Sequence, residues 1–434
     1  MTKKVEIEQT EIEAPYELPE GWKWERASNF ADIFTGNSIN ENVKKEKYTG
    51  ITEGLNFIGT KDVDFDGTIN YENGVKISDY ENFKTVPSNT PLLCIEGGSA
   101  GKKLGITSEQ VCFGNKLCAF VCKNVEPKLV YYYLQTNAFF YSFMKERHGL
   151  IGGVSVGTLK NIPFPLPPTI AEQERIVNRI ETMFAKLDQA QEKAQAVLDS
   201  FETRKAAILH KAFTGELTAN WRKENGVPDD SWEEKRLEDV CEFITKGTTP
   251  KKEDMSIGTG DIPYIKVYNL CFDTNLDFSI DPTFVKLESH KNFLARSITL
   301  PGDVLMNIVG PPFGKVSIVP DTYPEWNINQ AIARFRCKPK LYNVYLANYL
   351  ISPKTIENMS RQIKTTAGQQ NLTLEICRNI TIPVPRFPEQ QEIVRILDSV
   401  LEKETRAKEA AQTVLDQIAL LKKSILARAF RGEL

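Results

Sequence analysis

Four motifs, on three stretches of this chain, carry residues whose types and spacing suggest chemistry. GGSAGKK (97–103) and GPPFGKVS (310–317) each place a lysine after spaced glycines, as a phosphate-cradling loop does. That loop needs four residues between its glycines and a Ser or Thr after Gly-Lys. Both stretches have three and lack the hydroxyl, so they read as turns between strands. GPPF (310–313) after the apolar run DVLMNIV has the setting of an amino-methyltransferase tetrapeptide. There the first residue is Asn or Asp, whose carbonyl oxygen accepts from the target amine. Glycine has no side-chain oxygen to do so, and no convincing glycine-rich methyl-donor motif lies upstream. PDDSWEEK (228–235) has the order of a PD…ExK nuclease but a shorter spacing, and it falls in a polar connection. None of the 3 histidines sits in a triad setting. Cys112, Cys118 and Cys122 are the closest thiol cluster, yet they form no C-x-x-C pair; they read as core cysteines, and neither metal nor cofactor is expected.

What remains is polar and basic chemistry on loops. Lys102 and Lys103 follow GGSAG, and Lys315 follows GPPFG. Arg147, His148 and the run GLIGGVS precede a proline-rich strand; Arg361, Lys364, Thr365, Thr366, Gln369, Gln370 and Asn371 occupy the equivalent place later. Lys and Arg suit phosphate, and Gln, Asn and Thr suit base edges. For any one of them a solvated turn is the ordinary state.

The elements that must position these loops are two long helices. Residues 170–217 hold no glycine before Gly215, and apolar residues recur at steps of four and three: Ile180, Phe184, Leu187, Ala194, Leu198, Phe201, Ile208 and Ala212. About forty residues at ~1.5 Å rise give a rod of roughly 60 Å, which needs a partner along its seam. Residues 388–434 supply it. Aligning Leu217 with Leu434 brings Leu397, Leu401, Ala411, Leu415, Ile418, Ile425 and Ala429 onto the same seam without a gap. Glu404 opposite Leu187 is the one discord. Both rods end alike, KAFTGEL and RAFRGEL, with Gly215 and Gly432 as terminators. The chain therefore reads as an internal repeat, a pseudo-dimer of two matched halves.

Each half is a globule before a rod. Trp22 and Trp232 open the globules, and a helix ending near glycine is expected after each. Short alternating segments with dense Gly, Asn and Asp then predict a β-rich mixed domain. NIPFPLPP (161–168) and NITIPVPRFP (379–388) lead into the rods, where proline blocks helix propagation backwards. The expected divisions are a charged leader over 1–14, a globule over 15–168, a rod over 169–217, a connection and second globule over 218–387, and a rod over 388–434.

At 434 residues two to four domains are expected. The net charge of −3 argues against an autonomous DNA clamp, though not against local basic surfaces or a partner that supplies charge. No stretch approaches the roughly 20 apolar residues of a membrane helix. The first residues lack an apolar signal region, and 8 cysteines without a paired framework suit a reducing cytosol. A cytoplasmic protein is expected.

The EQ-started rods (AEQERIV from Ala171, PEQQEIV from Pro388), their KAF-x-GEL and RAF-x-GEL ends and the tryptophan openings together resemble the specificity subunit of type I restriction–modification systems. The resemblance covers essentially the whole chain. It implies an α+β fold: two target-recognition domains separated by two long antiparallel helices in a coiled coil, each domain reading one half of a split, asymmetric double-stranded DNA site. It implies methyltransferase subunits, commonly two, docked on this frame to methylate adenine, a nuclease–translocase subunit beside them, and no catalysis by the chain itself. Two other readings stay open: a self-contained DNA methyltransferase or nuclease, and a coiled-coil scaffold without DNA.

Overall fold

The computed structural model describes residues 16–147, 152–310, 312–366 and 369–434; the leader expected over 1–14 lies outside them, and for 364–366, 369 and 370 the backbone alone is described. The chain divides into two compact units, residues 1–195 with 412–434, and residues 196–411. Two helices run through both: a first rod, Ile170–Phe213, of 44 residues and a second, Phe387–Ala429, of 43. Gly215 and Gly432 adopt left-handed φ of 83° and 73° just past the rods, the conformation that ends a helix most cheaply at glycine.

In the first unit, four antiparallel strands order as Ala31–Thr35, Leu117–Cys122, Pro91–Cys94, Leu104–Ile106. A second four-stranded sheet centres on a parallel pair, Leu55–Ile58 with Val111–Phe113. The second unit repeats the first sheet as Cys241–Lys246, Ile332–Cys337, Val304–Asn307, Val316–Ile318, and again has a parallel pair, Ile262–Ile265 with Asn327–Ile328. The proline-rich segments form edge strands, Pro163–Leu166 against Lys23–Arg26 and Thr381–Val384 against Glu233–Arg236, where a missing N–H does no harm. The helix expected after each tryptophan is only a single turn, Ala27–Asn29 or Leu237–Val240, because long-range strand pairing takes the residues on either side.

Each unit's core is built on the start of one rod and the end of the other. In the first, Phe120, Tyr133, Phe139 and Phe164 pack with Ile176 and Ile180 of the first rod and Leu426, Ala429 and Phe430 at the end of the second. In the second, Ile244, Phe335, Tyr345 and Leu350 pack with Leu209 and Ala212 and with Ile393 and Leu397. Start meeting end makes the two helices antiparallel within each unit. Along the seam Ile180, Phe201, Leu397 and Ile418 are buried, and Phe184, Leu187, Leu198, Ile208, Leu401, Leu415 and Ile425 are half-buried. Glu404, the discordant seam position, accepts from Arg204 Nε at 2.7 Å. Lys422 bridges to Asp188 at 2.6 Å and lies over the Phe184 ring.

The EQ pair at each rod start has a structural task. Gln173 Oε1 accepts from the Glu126 amide at 2.9 Å while its Nε2 donates to the Pro167 carbonyl at 3.2 Å. Gln390 repeats this on the Tyr342 amide and the Lys340 and Pro385 carbonyls at 2.8, 3.0 and 2.9 Å. Both glutamines are buried, so these bonds satisfy their side-chain amides away from water and staple rod to globule.

Candidate nucleic-acid interface

The two glycine turns lie where the sequence places them, between strands and not before a helix. Gly101 and Gly314 have φ of 74° and 95°, and a Cβ on them would meet Phe143 at 2.8 Å or Ile356 at 2.7 Å. The turns are thus pressed on equivalent helices, Asn137–Lys145 and Pro353–Arg361. Lys102 is exposed. Lys103 donates from Nζ to the Thr60 carbonyl at 3.1 Å and lies 5.1 Å over the Phe65 ring. Lys315 lies 5.7 Å over the Phe272 ring, and its amide donates to Asn307 Oδ1 at 3.0 Å.

A second segment joins each turn. In the first unit Glu96 bridges to Gly153, and the Gly97 amide donates to the Gly152 carbonyl at 3.2 Å. In the second, Val309 bridges to Asn371, and the Leu372 amide donates to the Ile308 carbonyl at 2.9 Å. Lys364, Thr365, Gln369 and Gln370 form a hairpin based there, Lys364–Thr366 against Gln369–Asn371, with Thr365 opposite Gln370. Arg361, at the end of its helix, is exposed and pairs with Glu357 at 2.5 Å. Arg147 points inward: it donates from Nη2 to the Gly97 carbonyl at 3.1 Å and lies against Gly152, bracing the turn. His148 lies outside the described residues.

Three groups escaped the sequence reading. Phe65 and Phe272, 69% and 49% exposed, are the aromatic partners of the turn lysines. The signal was present as a shared Phe-Asp, in DFDGT (64–68) and CFDTN (271–275), but at a different register from the rods. The third is a charged cluster on the second unit's first sheet. Asp303, buried, pairs bidentately with Arg336 at 2.7 and 2.6 Å. Arg334 is buried beside it, 4.6 Å from the Phe243 ring centroid, donating to Thr245 Oγ1 at 3.1 Å. Burial lowers the Arg334 pKa to about 10, with Asp303 opposing that shift. Its Nε has no hydrogen-bond partner among the described residues.

Asp229 of the nuclease-like stretch accepts from Arg222 Nε at 3.1 Å, and among the described residues no group of three or more His, Cys, Asp or Glu is placed to hold a metal ion. Cys118 and Cys122 are tucked into the first unit's core, where burial pushes both thiols up to about 12. No helix among the described residues is long and apolar enough to cross a membrane.

The family model for the type I restriction modification DNA specificity domain matches twice, over residues 19–198 and 229–415. The chain belongs to this family. Each match covers one globule and runs into the rod that follows it. Among relatives, the EcoBI specificity subunit of Escherichia coli is 27% identical over 297 residues, 65% of this chain and 60% of that one. The EcoKI specificity subunit of Escherichia coli strain K12 is 25% identical over 66% of this chain and 61% of its own length. The chain thus spans about 60% of the length of these two relatives. The StySPI specificity subunit of Salmonella potsdam is 20% identical over 96% of this chain and 90% of its own. The fold is shared with a solved chain of a type I R-M system, at TM-score 0.73 and 18% identity over 97% of this chain and 100% of that one. It is shared also with the HsdS subunit from Thermoanaerobacter tengcongensis, at 0.64 and 18% over 98% and 100%. In family terms, this is a mixed α/β chain with two specificity domains and the first rod between their globules.

Proposed function

We propose that this chain is the DNA-recognition subunit of a type I restriction–modification complex, reading a bipartite, asymmetric site on double-stranded DNA. The observation that carries this reading is duplication: one chain contains two specificity domains, and each presents a lysine-bearing glycine turn joined to a second loop segment. Phosphate contacts position a protein and groove contacts specify sequence, so two loop sets read two half-sites. The globules over 15–168 and 218–387 are the readers, and the rods over 169–217 and 388–434 set the spacing between half-sites. Methyltransferase subunits, commonly two, and nuclease–translocase subunits carry the catalysis in the cytoplasm. A net charge of −3 fits a subunit whose partners share the phosphate contacts.

Two experiments test this. One helical turn is inserted after Gln191 and methylated adenines are mapped in a host carrying the chain with its methyltransferase. A changed spacer with unchanged half-sites is expected; an unchanged spacer counts against the ruler. In the second, Lys315→Ala and Gln369→Ala weaken or relax recognition in one half-site only, with binding that falls steeply as salt rises. Equal loss at both halves, or no loss, rejects these residues as readers.

A further inference from the structure

Phe65 and Phe272 are exposed in a way that the rest of the fold does not explain. Large aromatic side chains are usually at least partly covered, and these two lie in loops, Phe65 mostly exposed and Phe272 half-exposed in a loop hydrogen-bonded to Val316–Ile318 and beside Ile356 and Leu209. Their positions correspond in detail. Ile58 pairs in parallel with Phe113, and Ile265 with Ile328. From each pair the chain passes through one 3-10 turn, Thr60–Asp62 or Val267–Asn269, then a bridge, Val63 to Ile69 or Leu270 to Leu276. The phenylalanine comes two residues after the bridge begins. Next, Asp66 Oδ1 accepts from the Thr68 amide at 2.9 Å, and Asp273 Oδ1 from the Asn275 amide at 3.2 Å. Between them Gly67 and Thr274 both hold left-handed φ, 92° and 68°. For Thr274 that conformation is strained, so the loop shape is kept in the second unit although its sequence no longer favours it.

The lysine over each ring corresponds as well. The Cys94 amide donates to the Lys103 carbonyl at 2.8 Å, and the Asn307 amide to the Lys315 carbonyl at 3.1 Å. One ring and one ammonium, brought together from separate loops, recur in both units. A surface aromatic kept for stability would be covered, and a lysine kept for solubility would be free in water. An exposed ring flanked by a cation has instead the chemistry of a base-stacking wedge: the π-face meets a base and the ammonium meets the adjoining phosphate. The paired carboxylates are engaged by their own turns.

Resting on the DNA-reading function above, we propose that Phe65 and Phe272 are wedges, one per half-site, that stack on or between bases of double-stranded DNA, each flanked by Lys103 or Lys315. The sites have the same architecture and read different halves.

The test uses the full chain assembled with its methyltransferase subunits. Binding to a duplex carrying the mapped site is measured alongside duplexes altered in one half, for wild type, Phe65→Ala, Phe65→Tyr, Phe272→Ala and Phe272→Tyr. Each alanine variant should lose roughly 10-fold or more in affinity, and its discrimination should fail in one half only, a different half for each. The tyrosine variants should keep most of the affinity, because the ring remains. With 2-aminopurine at the contacted step, wild type should raise the fluorescence by unstacking, and the alanine variant should not. Alanine variants that bind and discriminate as wild type overturn the wedges while leaving DNA recognition intact. Alanine variants that no longer assemble with methyltransferase subunits in the absence of DNA assign the rings to a protein interface, which also overturns the proposal. A wild-type complex with no preferred duplex removes the function on which it rests.

Discussion

The two halves share a sheet order, a rod and a lysine-bearing turn, but they differ where charge is buried. At the start of the first rod, Glu172 is at the surface, paired with Arg175 Nε at 2.7 Å. Its counterpart Glu389 is fully buried, accepting from Arg222 Nη1 at 2.9 Å and Thr218 Oγ1 at 2.8 Å. The difference comes from the connection after Gly215. It reads as a polar linker, yet Ala219–Glu224 is helical and turns Arg222 onto the second rod's start. The sheets differ likewise. Leu92 pairs with Ala119 in the first unit, whereas the corresponding Leu305 pairs with Arg334 in the second. The same backbone therefore carries an apolar layer in one half and a charged cluster in the other. Repetition of fold fixes hydrogen-bonded geometry; it does not fix electrostatics, which depends on what covers each position.

Substitutions can break this contrast. The largest effect is expected at Arg222→Met, which strands the Glu389 carboxylate in the interior; loss of about 3–5 kcal/mol should appear in denaturant unfolding of the second unit. Glu172→Ala, at the same place in the repeat, should cost less than ~1 kcal/mol. Equal losses would erase the distinction. Asp303→Asn removes the carboxylate that pairs bidentately with Arg336 and acts on Arg334, leaving Glu242 as a further carboxylate acting on Arg336. It should cost about 3 kcal/mol, the lower end for a broken buried pair because Arg336 remains 23% exposed. Arg334→Met should be near neutral or stabilising, since its charge is desolvated without a direct carboxylate partner. A large loss there would mean that the guanidinium is needed for stability as it stands.

The smallest effect concerns alkaline pH. Burial raises Cys118 and Cys377 from the ordinary 9.0 to about 12, so the folded state holds these protons more tightly than the unfolded chain. Their contribution is complete below pH 9 and declines as pH rises from about 9 towards 12. Cys118→Val should make the fall in melting temperature over that window shallower, and an unchanged slope would show that other groups govern it.

The rods were legible because their information is local. A seam at steps of four and three, a glycine stop and an uninterrupted polar face specify a helix wherever they occur. The repeat was legible from the rods outward, and so was the placing of both glycine turns between strands. Aligning Leu217 with Leu434, however, keeps register only through the helices. Loop lengths differ between halves, so Phe65 and Phe272 fall out of that alignment although their strand pairs correspond. Arg147 was singled out for its charge; the fold uses it as a brace on Gly97.

The sequence by itself determined the two rods, their shared seam, the duplication and the lysine-bearing turns, because periodicity and turn chemistry act over a few neighbouring residues. Tertiary structure alone decided which charges are buried, which glutamines staple globule to rod, and which lysine meets which ring. Burial and contact belong to residues far apart in the chain, and they exist only once the sheets have paired.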